Sequence, residues 1–65
     1  MEVLITEQFT VNTITIQHET EGVLIYKEWL DDSGKFMDCE VTSKDGYQID
    51  DDSLLHEVYK FVDSL

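Results

Sequence analysis

The hydrophobic period changes once along this chain, and that change restricts it to a sheet followed by a helix. Up to residue 49 the apolar side chains alternate, or run together over short extended stretches. From Leu54 onward they recur at spacings of three and four. Leu54, Leu55, Val58, Phe61, Val62 and Leu65 line one helical stripe, and His56, Glu57, Lys60, Asp63 and Ser64 fall opposite. Asp50, Asp51, Asp52 and Ser53 sit just ahead. Their side chains can accept hydrogen bonds from the free N–H groups of a first helical turn. Their charge also complements the positive end of the helix dipole.

The extended part divides by its turn residues. Val3 to Ile16 is rich in β-branched residues, which suit a pleated sheet. Its apolar parity changes, from Phe9 and Val11 to Ile14 and Ile16. A one-residue shift flips every side chain to the other face, so Asn12-Thr13 is expected to be a bulge, a bend or a break between two strands. Glu19 to Gly22 is a turn. Val23 to Leu30 is the strongest strand, with Val23, Ile25 and Trp29 on one face and Leu24, Tyr26 and Leu30 on the other. A strand apolar on both sides belongs in the middle of a sheet or under a second layer. Asp31 to Lys35 is a turn. Phe36 to Thr42 completes a hairpin, Ser43 to Gly46 turns again, and Tyr47 to Ile49 is a candidate last strand. The expected fold is α+β: a small antiparallel meander of three to four strands with one C-terminal amphipathic helix packed on one face.

A chain of 65 residues makes a single small domain, which buries only about 60% of the surface its unfolded form exposes. Cys39 is the one cysteine, so no internal disulfide adds support. Pairing into a homodimer would relieve the shortage of core. No basic-then-apolar leader and no apolar run of about 20 residues is visible. A cytoplasmic location is the expectation, in the host cytoplasm if the chain is phage-encoded.

Charge narrows the partners. Fifteen carboxylates face four lysines and no arginine, for a net charge of −11. Nucleic-acid binding rests on cations that displace counterions from phosphates. Direct contact with DNA, RNA or an anionic membrane surface is therefore not expected. A basic surface on another protein is the complementary partner, because a single-sign field speeds encounter with the opposite sign. The same charge also keeps a small domain soluble.

Catalytic and metal chemistry find little purchase. Asp45 and the Asp50-Asp51-Asp52 run lack the alternating ligands, midway glycine and distal glutamate of a calcium loop. His18, Cys39 and His56 fall on three different elements, with none of the close ligand pairs of a structural zinc site. Both histidines are expected at the surface. Cys39 sits between Asp38 and Glu40, which oppose thiolate formation. No cofactor and no enzymatic activity are expected.

The aromatic residues point instead to an interface. Tyr26, Leu24, Leu30 and Phe36 cannot all lie under one short helix that covers the other face. Exposed, they would make an apolar patch rimmed by Glu28, Asp38 and Glu40. The expectation is a non-enzymatic binding module, an acidic inhibitor or modulator. Glu28, Asp31, Asp32, Asp38, Glu40, Asp50, Asp51 and Asp52 would occupy a basic groove, and Tyr26, Trp29 or Phe36 would supply anchors. Two alternatives stay open: a structural protein that self-associates through the aromatic face, and a domain that binds calcium or magnesium at the acidic turn. In length, charge and lack of a catalytic constellation, the chain resembles the small acidic proteins that phages make to inhibit host enzymes. Several of those mimic the phosphate charge of DNA, so the resemblance implies a DNA mimic.

Overall fold

The computed structural model describes residues 1–8 and 11–65, with the backbone alone of Glu7 and Gln8. Four strands, β1 (Glu2–Gln8), β2 (Val11–His18), β3 (Gly22–Leu30) and β4 (Phe36–Ser43), precede one helix, α1 (Asp52–Asp63). They form one antiparallel sheet in the order β1-β2-β3-β4, a meander with the helix on one face.

Register decides which side chains meet the helix. Ile14, Tyr26 and Val41 lie in one row across the sheet, and Ile16, Leu24 and Ser43 in the next. Ile16, Leu24, Tyr26 and Val41 form the core with Leu54 and Val58 from the helix. The helix therefore covers the Leu24–Tyr26 face of β3. This corrects the expectation that Leu24 and Tyr26 lie on an exposed face. Val23, Ile25 and Trp29 lie on the opposite, helix-free face, where each is only half-buried. Both faces of β3 are apolar, so alternation defines two faces without ranking them. Ile14 and Ile16 on β2 match the Leu24–Tyr26 face, while Thr13, Thr15 and Gln17 line the other.

The first strands differ from expectation in detail. β2 runs through Asn12 and Thr13, paired on both sides, with no bulge or break there. Phe9, on which the parity argument rested, lies outside the described residues. The pairing irregularity falls instead in β1, between Val3 and Ile5.

The turns follow the residues that called for them. In the β3–β4 hairpin, one carboxylate oxygen of Asp31 accepts from the Ser33 N–H (2.9 Å), the Ser33 hydroxyl (2.6 Å) and the Lys35 N–H (2.9 Å). Gly34, at φ +84°, supplies the left-handed residue this turn needs. Tyr47 to Ile49 is less than a strand: a single bridge joins Thr42 to Gln48.

Asp51 is the helix N-cap, accepting from the Leu54 N–H at 3.1 Å. Asp51→Ala is expected to cost about 1 kcal/mol, the usual worth of a side-chain cap. Its neighbour Asp50 makes no such bond among the described residues, so Asp50→Ala should stay within about 0.5 kcal/mol. Urea unfolding of both variants followed by circular dichroism checks this, and Asp51→Ser should recover most of the loss.

Candidate functional site

Four of the carboxylates singled out from the sequence have structural jobs. Asp31 ties the hairpin turn and Asp51 caps the helix. Glu28 accepts the Tyr26 hydroxyl at 2.9 Å, and Asp38 accepts the Cys39 N–H at 2.8 Å. The hydrogen bonds of Asp31, led by the Ser33 hydroxyl, hold its carboxyl below the usual range. Asp32, Glu40, Asp50 and Asp52 make no side-chain hydrogen bond or ion pair among the described residues.

These carboxylates do not form one patch. Asp31 and Asp32 occupy the hairpin tip beyond Leu30. Asp50 to Asp52 follow the segment that lies alongside Val41 to Ser43. Phe36 and Thr42 are six positions apart on β4, or roughly 20 Å of strand. Asp31 and Asp32 at the hairpin tip are thus separated from Asp50 to Asp52 at the helix start.

The three aromatic candidates also separate. Tyr26 is 6% exposed and meets the Tyr59 ring edge-on at 6.3 Å, so it belongs to the core and cannot be an exposed anchor. Burial first, then the bond to Glu28, raises its phenol well above the ordinary tyrosine range. Phe36 is 54% exposed. Trp29 faces Asp38 across the hairpin. Beside it opens a depression of about 470 Å³, lined by Trp29, Leu30, Met37, Asp38, Cys39, Glu40 and Gln48. It brings together three of the expected residues, Trp29, Asp38 and Glu40, and adds Met37, which is 65% exposed. Met37 was not among the residues expected at an interface. The irregular register at Trp29/Leu30 leaves it without a cross-strand partner.

No lysine reaches salt-bridge distance of a carboxylate among the described residues. The ion pairs are confined to Glu19 with the N-terminal ammonium, and His18 with Glu19 and Glu57. The ammonium lowers the pKa of Glu19. Lys27 stands opposite Glu40 in the β3–β4 register without closing on it.

His18 was expected at the surface and is instead 6% exposed. Its Nδ1 accepts the backbone N–H groups of Thr20 and Glu21, each at 3.2 Å. Its Nε2 lies 2.6 Å from Glu57 Oε1. An Nδ1 that accepts N–H bonds carries no proton, so the neutral ring bears its hydrogen on Nε2 and donates it to Glu57. The side chain thereby ties the β2–β3 turn to α1. His18, Glu19 and Glu57 are the one group of three metal-type side chains within mutual reach among the described residues. The hydrogen-bond pattern makes Nε2 a donor, which is the wrong polarity for a ligand. The partner Glu57 is 39 positions away, so no local motif signalled this contact. Asp45 and Asp50 to Asp52 form no such group.

No helix among the described residues is long and apolar enough to cross a membrane. Comparison with protein families, curated proteins and solved structures finds no match to this chain.

Proposed function

We propose that this protein is a non-enzymatic binding module, an acidic inhibitor or modulator that occupies a basic surface of a partner protein. The observation that carries the reading is the uncompensated charge. Fifteen carboxylates are present, and among the described residues none is matched by a lysine. A surface that repels itself in isolation gains most where a partner supplies the missing cations. Asp32, Glu40, Asp50 and Asp52, which make no side-chain bond among the described residues, are the carboxylates that support this reading. A basic groove that normally holds nucleic acid suits such a surface, which is the sense in which the protein would act as a DNA mimic.

Self-association through the aromatic face has less support, because Tyr26 and Leu24 lie beneath the helix.

The test is capture of partners on immobilised protein, washed at low and high salt, beside an Asp32→Lys/Asp50→Lys/Asp52→Lys bait. That variant spares Asp31 and Asp51, whose bonds hold the turn and the helix cap. The expected result is a stoichiometric basic partner that leaves at high salt, ignores the reversed bait and is displaced by duplex DNA. Exposed charge pairs are screened over about 8 Å at physiological ionic strength, so retention should fall steeply with salt. Retention indifferent to salt and to charge reversal would overturn the reading.

A further inference from the structure

The outer edge of β4 is only half filled. Residues 47–49 run back along it and make two ladder bonds: the Ser43 N–H to the Tyr47 carbonyl (2.8 Å) and the Ile49 N–H to the Val41 carbonyl (2.9 Å). The chain then leaves to form α1. Among the described residues nothing pairs with the outer side of Phe36 to Glu40. Val41 and Ser43 turn their backbone groups outward, so the antiparallel alternation makes Cys39 the next outward position. Its N–H is occupied by the Asp38 carboxylate. That contact blunts the edge against casual pairing, as natural edge strands require.

The depression beside Trp29 opens along this unfilled half. Its chemistry is two-sided. Trp29, Leu30 and Met37 give an apolar wall, and Asp38 and Glu40 give two carboxylates with no cation at salt-bridge distance among the described residues. An arginine side chain matches both. Its methylene stem packs on apolar surface, its guanidinium stacks on an indole, and its planar fork bonds carboxylates. A second copy of this chain does not match, because it would bring the same carboxylates, and a net charge of −11, against each other.

We propose that the unfilled half of the β4 edge receives an extended, arginine-bearing segment of the partner protein, whose backbone donates to the outward Cys39 carbonyl beyond the bonds of residues 47–49 and which places its guanidinium between Trp29 and the Asp38 and Glu40 carboxylates. This rests on the binding-module reading and adds to it the partner's local chemistry and the place where it docks.

Trp29 is the one tryptophan, so its fluorescence reports the site directly. The probe is a capped Thr-Val-Arg-Val-Thr peptide, titrated beside the same peptide with citrulline in place of arginine. The protein variant is Asp38→Asn/Glu40→Gln, in which the asparagine oxygen still accepts the Cys39 N–H. Saturable change with the arginine peptide is expected, weakened about tenfold by citrulline or by the double variant. Amide chemical-shift changes should centre on Met37 to Glu40. No saturable change, equal binding of the citrulline peptide, or indifference to the double variant would overturn the proposal. A captured basic partner that leaves at high salt yet is retained by Asp38→Asn/Glu40→Gln would overturn this site while leaving the general reading intact.

Discussion

Leu24→Ala is expected to remove much of the protein's stability, while Ile25→Ala, one residue along the same strand, should cost about 1 kcal/mol. Leu24 is 1% exposed and packs with Ile16, Val41, Leu54 and Val58 under the helix. Truncating a buried leucine loses its transfer free energy and leaves a cavity, together about 2–5 kcal/mol. A domain of this size has about 3–10 kcal/mol in total, at the usual 0.05–0.15 kcal/mol per residue. The upper half of the first range therefore exceeds the lower end of the second and removes a third or more of even the highest total. Ile25 lies on the face without a helix and loses far less contact. Urea midpoints for the two variants decide the matter. Equal losses, or a larger loss at Ile25, would mean that the helix packs on the opposite face.

Raising the pH above about 10, where an unperturbed tyrosine ionises, should destabilise the protein through Tyr26. Its hydroxyl is buried and donates to Glu28, and both facts disfavour the phenolate. Burial, followed by the neighbouring Cys39 thiol, pushes Tyr59 in the same direction. In the unfolded chain these phenols lose their protons near pH 10, while the folded protein keeps them to higher pH. The native state thus binds more protons than the unfolded state in that window. Stability is fully present below pH 10 and falls as pH rises through it, by at most about 1.4 kcal/mol per pH unit for each such group. Tyr47 is 75% exposed and experiences no comparable burial. Urea midpoints between pH 8 and about 11.5 should fall more steeply for the wild type than for Tyr26→Phe. Parallel curves for the two proteins would show that Tyr26 does not carry the effect.

Much of the fold was legible because short-range patterns specify it. The β3–β4 hairpin follows from two alternating runs around Asp31 to Lys35, and the Asp31 carboxylate organises that turn through residues two and four positions away. The helix follows from the three-and-four spacing of its apolar residues, and Asp51 caps it through a contact three residues long. The candidate site was less legible. Charge identified which residue types would matter without assigning each carboxylate its task. Glu28, Asp31, Asp38 and Asp51 look alike in sequence to Asp32 and Asp50, yet among the described residues only the first four make side-chain hydrogen bonds. His18 and Glu57 meet across 39 positions, a separation that no local pattern reports.

By itself the sequence determined a sheet-then-helix order, three glycine-containing turns, the absence of a disulfide and a strongly anionic surface. Each of these depends on residue type, composition or contacts within about four positions. Tertiary structure alone decided that the helix lies on Leu24 and Tyr26 rather than on Val23 and Ile25, and that His18 is enclosed. It also decided that residues 47–49 stop halfway along β4, leaving Trp29, Asp38 and Glu40 around an open depression. The physical reason is that a strand with two apolar faces offers two nearly equivalent surfaces. Which one is covered depends on the combined burial of Ile14, Ile16, Val41, Leu54 and Val58 from three other elements.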